Sequence, residues 1–192
     1  MEVEKLRKEY PEVDVRWVPY LLNPSIPPEG KPREPQTTAD TPKSALELRG
    51  EAVGITFRRG RTFTPNSHLA LEAAEYAIEH GHDSDAFHRA LFKANFDDFD
   101  NIGDIDVLVR IGGEQGLDGG ELREVLESGS YRETVDHAIE WARAVGVTGI
   151  PTFVFNEKYA VVGAQEYPAF QGMMAKLAEE ARAEAEPPVG EG

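Results

Sequence analysis

At 192 residues, with 40% hydrophobic and 9% aromatic side chains, the chain suits one domain carrying a sizeable insertion, and it is apolar enough for a packed core. Its 35 acidic and 20 basic residues give a formal charge of −15, which repels phosphate backbones, so nucleic acid is not an expected partner. The chain has no cysteine, which excludes a disulfide scaffold, a thiolate zinc site and thiol catalysis by this chain alone.

In chain order, 2–10 is short and charged, with Val3 and Leu6 three apart. It reads as the end of a helix that Pro11 stops. Nothing in this N-terminal stretch has an apolar signal core, and no run reaches the roughly 18 apolar residues of a membrane span. A cytoplasmic location away from membranes is therefore expected. Val13-Asp14-Val15-Arg16-Trp17 alternates and predicts a strand that ends at Pro19 or lies at a sheet edge. Pro24, Pro27, Pro28, Pro32, Pro35 and Pro42 then predict an extended, mobile loop with little helix.

A helical block follows. Ser44 and Glu47 have capping-box spacing and open a short helix toward Val53. Arg58, Arg59 and Arg61 make a basic loop. Leu69, Ala73, Tyr76 and Ala77 share one face of a helix from His68 that Gly81 terminates. Asp83 or Ser84 caps the next helix, with Phe87, Ala90, Leu91 and Ala94 at core spacing. Asp104 caps a helix carrying Val107, Leu108 and Ile111, and Asp118 with Glu121 precedes Leu122, Val125 and Leu126. Ser130 and Glu133 form a further box before Val135, Ala138, Ile139, Ala142 and Val145. Gly146 ends that helix, Pro151 opens a buried strand Thr152–Phe155, a turn at 156–158 returns as Tyr159–Val162, and a last helix follows. The segment after Glu180 is rich in Ala and Glu, then in Pro and Gly, and is expected to fray.

Several side-chain groups invite chemistry and have plainer explanations. His80 and His82 with Asp83 suggest a metal site, but no His pair shares a helix face, and helix capping suits them better. Asp97, Asp98, Asp100, Asp104 and Asp106 do not follow the EF-hand pattern. Gly112-Gly113 and Gly119-Gly120 lack the strand and Lys-Ser/Thr pair of a phosphate loop. Arg58, Arg59 and Arg61 can hold a carboxylate of a peptide or glutathione, against the plainer reading of a solvated loop. No metal ligand set is expected.

Gly146-Val147-x-Gly149-Ile150-Pro151-Thr152-Phe153-Val154-Phe155, followed by Lys158-Tyr159-Ala160-Val161-Val162-Gly163-Ala164-Gln165, resembles the C-terminal half of a DsbA-like thioredoxin domain. The branch it resembles is that of FrnE and the 2-hydroxychromene-2-carboxylate isomerases. Trp17 to Pro24 resembles the second strand and its exit, and Pro65-Asn66-Ser67 and Asn101-Ile102-Gly103-Asp104 resemble the helical insertion. The resemblance implies an α/β, thioredoxin-like fold. Residues 1–35 and 146–182 would form the thioredoxin-like portion, 36–145 the helical insertion and 183–192 a flexible tail.

The resemblance also implies a function. The family performs thiol–disulfide exchange through a low-pKa cysteine at a helix N-terminus. Its Val/Ile-Pro-Thr bond is cis and faces that dithiol, so Ile150, Pro151 and Thr152 would bind an extended peptide by strand addition. Gln165 matches a position near the glutathione site of the isomerase branch. The partners implied are an extended peptide or a small thiol, glutathione being the one candidate cofactor. The strand and Cys-x-x-Cys that open such domains are absent from this sequence, so no catalytic residue is assigned. The expectation favoured is that the natural chain begins upstream of Met1. The alternatives are a non-catalytic peptide- or glutathione-binding module and a glutathione-dependent isomerase. In the family's topology the absent strand lies between Val13–Trp17 and Thr152–Phe155, so the chain alone is expected to be either a strand-exchanged homodimer that fills the gap or a poorly stable, aggregation-prone monomer.

Overall fold

The computed structural model describes residues 2–52 and 54–185. The residues fall into two compact units: 2–17 with 147–185, and 18–146. Val53 and residues 186–192 lie outside the described residues. Residues 181–185, where fraying was expected, instead continue the last helix, which runs to Ala185.

In the larger unit five helices carry the core: α3 (His68–Glu79), α4 (Ser84–Lys93), α5 (Ile105–Glu114), α6 (Gly119–Ser128) and α7 (Arg132–Ala144). Three of their starts, those of α4, α5 and α6, follow the predicted caps. Asp83 accepts from the Ala86 N–H at 3.0 Å, Asp104 from Asp106 and Val107 at 2.8 and 3.3 Å, and Asp118 from Gly120 and Glu121 at 2.8 and 2.9 Å. Such a cap stabilises a helix by about 1 kcal/mol. The small residues Ala70, Ala73, Ala74 and Ala77 let the neighbours of α3 approach closely. Phe87, Leu91, Leu108, Ile111, Leu122 and Leu126 fill the space around them. Full burial of one such side chain contributes about 1.5–3 kcal/mol.

The Ser130–Glu133 box does not form. Gly129 turns left-handed at φ 67° and the Ser130 N–H donates back to the Val125 carbonyl at 3.2 Å, so Ser130 closes α6 and α7 starts after Tyr131. Val145 is also exposed, at the solvent end of α7.

The proline-rich stretch clusters with the helices. Pro32 sits in a two-residue strand β1 (Lys31–Pro32) paired antiparallel with β2 (Phe63–Thr64), and Asn66 Nδ2 donates to the Ile26 carbonyl at 2.7 Å. Gly30, at φ 76°, lies where a Cβ would meet the Phe63 ring at 2.4 Å. The capping box of α2 (Ala45–Ala52) is complete: Ser44 N–H and Oγ both donate to Glu47 Oε2, and Glu47 N–H donates to Ser44 Oγ.

The smaller unit consists of α1 (Glu2–Glu9), the hairpin β3 (Thr152–Phe155) and β4 (Tyr159–Val162), and α8 (Tyr167–Ala185). The predicted strand at Val13–Trp17 is not a strand, although Val13 and Val15 are more buried than Asp14 and Arg16. Alternation supplies a strand with two faces but not with a hydrogen-bonding neighbour, and among the described residues none lies beside it. Phe170 of α8 is buried and meets the Phe153 ring edge-on at 4.7 Å. α8 also holds α1: Tyr167 Oη and Gln171 Nε2 donate to the Glu9 carboxylate at 2.8 and 3.0 Å.

Candidate functional site

The hairpin end near Pro151 gathers all four residues singled out by the sequence. Gly146, at φ 84°, ends the preceding helix, and the chain turns through Gly149. Thr152 Oγ1 donates to the Gly149 carbonyl at 2.7 Å, closing the turn around Ile150 and Pro151. The Ile150–Pro151 peptide bond is cis. The Pro151 carbonyl accepts from Gly163 N–H at 2.8 Å, which joins the loop to the far end of β4. Gln165 folds back there, its N–H donating to the Gly163 carbonyl at 2.9 Å and its Nε2 to the Val162 carbonyl at 2.8 Å. The amide nitrogen of Gln165 is thus already engaged, while its side-chain oxygen has no partner among the described residues.

The register of the hairpin decides which backbone groups remain available. Thr152 opposes Val162, Phe153 opposes Val161 and Phe155 opposes Tyr159. With the Gly163-to-Pro151 bond in place, Phe153 and Phe155 are the residues that exchange hydrogen bonds with β4. Thr152 and Val154 therefore direct their N–H and C=O groups away from β4. Ile150 continues that row: 55% exposed, with neither backbone group bonded among the described residues. β3 has no second strand neighbour among those residues. The arrangement is a sheet edge with open donors and acceptors beside a half-exposed apolar side chain. Strand addition needs those features.

The other candidates resolve into local structure. The His80 ring nitrogen lies 2.9 Å from the Tyr76 carbonyl and Asp83 is occupied as the cap of α4. The three arginines separate. Arg59 pairs with Glu47 at 2.8 Å, Arg58 reaches the Asp98 carbonyl at 3.3 Å, and Arg61 bonds the Asn95 carbonyl and side chain. Arg59 and Ser44 together pull the Glu47 carboxyl down to about 2.

A cluster not anticipated from the sequence sits on α3. Glu72 is buried, one oxygen 2.8 Å from His68 Nδ1 and the other without a partner, while His68 Nε2 lies 3.0 Å from Asp136 of α7. The signal was present: Glu72 stands on the face of Leu69, Ala73 and Tyr76, four residues after His68.

Among known proteins, the chain is similar to YwbO of Bacillus subtilis (strain 168), itself uncharacterised, with 30% identity over 153 residues covering 76% of this chain and 74% of that protein. It is similar in structure to a Streptomyces coelicolor protein described as a probable DsbA oxidoreductase. That match has a TM-score of 0.77 and 25% identity over 99% of this chain and 85% of the other. A Nitrosomonas europaea structure described as a candidate protein disulfide isomerase shares the fold, with TM-score 0.64 and 13% identity, covering 93% of this chain and 89% of that one. Residues 1–175 match the DSBA-like thioredoxin domain. With the hairpin, its Pro151 loop and the helical unit in place, the chain belongs to the DSBA-like thioredoxin domain family and has that α/β fold.

Proposed function

We propose that this chain serves the substrate-binding side of DsbA-type thiol–disulfide exchange. It receives an extended polypeptide along the open edge formed by Ile150, Thr152 and Val154. The observation that carries the proposal is the alternation of the β3 backbone: Phe153 and Phe155 bond to β4, while the groups of Thr152 and Val154 point outward, in line with the exposed Ile150. Main-chain pairing of this kind binds many sequences, as an enzyme acting on unrelated disulfide proteins requires. Family membership supplies the reaction class. The sequence has no sulfur nucleophile, so this chain does not itself exchange thiols. The wording around Pro151 and Gly163-Ala164-Gln165 supports the FrnE and isomerase branch, with glutathione as the small-thiol alternative to a peptide.

The test uses the edge itself. Val154→Pro removes an outward N–H without removing a β3–β4 bond. Binding of a fluorescent unfolded peptide should weaken about tenfold in this variant, with thermal unfolding little changed. The unaltered chain should show no turnover in an insulin-reduction assay. Equal peptide binding by both proteins, or protein-dependent insulin reduction, would overturn the proposal.

A further inference from the structure

The larger unit carries a second surface that the edge at Ile150 does not explain. After α4 the chain makes a π-helical turn, Ala94–Asp98, and leaves it through Phe99 at φ 62°. Turns of this kind, which cost regular hydrogen bonding, concentrate at functional sites. This one leaves two aromatic side chains one turn apart in solvent, Phe92 and Phe96, 54% and 41% exposed, with ring centroids 6.3 Å apart. Phe57 extends the row, its ring 6.1 Å from Phe96 and nearly perpendicular to it.

Guanidinium groups frame these rings. Arg58 stands 5.0 Å from the Phe99 centroid, and Arg61 stands 5.6 and 5.3 Å from those of Phe96 and Phe99. Their hydrogen bonds go to neutral oxygens: the Asp98 carbonyl for Arg58, and the Asn95 carbonyl and side-chain amide for Arg61. Arg33 lies close enough to Arg61 that its charge, after burial, pulls that guanidinium below the ordinary arginine range. None of Arg33, Arg58 and Arg61 forms an ion pair among the described residues. Two carboxylates of this region are taken elsewhere, Asp98 by Lys93 at 2.6 Å and Asp100 by Arg110. In a chain of net charge −15, a cluster of guanidiniums without carboxylate partners is a local exception.

We propose that Arg33, Arg58 and Arg61, with Phe92, Phe96 and Phe99, form a docking surface for an acidic, apolar polypeptide segment of a partner protein. Charge complementarity selects that occupant. Carboxylates would supply the partners the three guanidiniums lack, and apolar side chains would cover Phe92 and Phe96. Arginine and exposed aromatic rings are also the residues that dominate protein interfaces. A second copy of the chain is disfavoured, because two molecules of charge −15 repel each other. A nucleic acid is disfavoured for the same reason.

The experiment titrates the full ¹⁵N-labelled chain with an amidated peptide that alternates Glu with Phe and Leu, and with its counterpart in which Lys replaces Glu. The Glu peptide should bind saturably, shift the amides of 55–63 and 92–99, and weaken with salt; the Lys peptide should not bind. Phe92→Ser and Arg58→Gln should each weaken binding about tenfold while leaving thermal unfolding unchanged. Arg58→Lys should restore part of the lost binding. Absence of saturable binding, shifts confined to other residues, or equal binding of both peptides would overturn the proposal. So would concentration-dependent dimerisation that Phe92→Ser abolishes, since the surface would then belong to a second copy.

Discussion

His68 holds two carboxylates at once, Glu72 from its own helix and Asp136 from α7. Removing it leaves the Glu72 carboxylate, 1% exposed, without its one side-chain partner among the described residues. A buried polar group so stranded costs about 1–3 kcal/mol. His68→Ala should lower the free energy of urea unfolding by that amount, and adding Glu72→Gln should recover part of it. A His68→Ala protein as stable as the parent would show that the contact carries nothing.

Glu47 makes a pH prediction. Arg59 and Ser44 lower its folded pKa from 4.5 to about 2, so its contribution is present above about 4.5 and is lost as pH falls through about 2. The stability difference between parent and Glu47→Gln should be constant above pH 4.5 and shrink from there to pH 2. A difference independent of pH over that window would contradict the assignment.

At the scale of elements, the five core helices were legible because each carried an apolar face of helical period, and α4, α5 and α6 also a side-chain cap before it. Asp83, Asp104 and Asp118 all cap as their spacing implies. Ser130 shows the limit: a serine between two helices can serve either, and Gly129 decided for the earlier one. The Val13–Trp17 alternation failed differently, since a strand exists only with a partner and the pattern cannot name one. The loop at Pro151 was found through a resemblance in its motif, whereas Val154 emerged only from the hairpin register. The close approach of α5 and α6 was invisible in sequence. A Cβ on Gly112 would come within 2.5 Å of the Leu122 side chain. Gly112→Ala should therefore destabilise the protein by about 1–3 kcal/mol despite its better helix propensity. Chemical denaturation checks this, and a stabilised variant would refute it.

For the whole molecule, burial is unevenly shared. Among the described residues, the buried hydrophobics of the smaller unit are Leu6 and Phe170 alone. Regions with few buried apolar contacts open at lower free energy. Amides of β3 and β4 should exchange with deuterium well before those of α3 and α5; uniform exchange across both units would contradict this. None of the described helices is long and apolar enough to cross a membrane.

The alternation along β3 can be read directly from amide signals of the ¹⁵N-labelled chain during titration with an unfolded peptide. Strand addition at the open edge requires shifts and exchange protection at Ile150, Thr152 and Val154, with Phe153 and Phe155, already bonded to β4, largely unmoved. Shifts with the opposite alternation, or none along 150–155 at saturating peptide, would contradict the assignment of this edge as the substrate site.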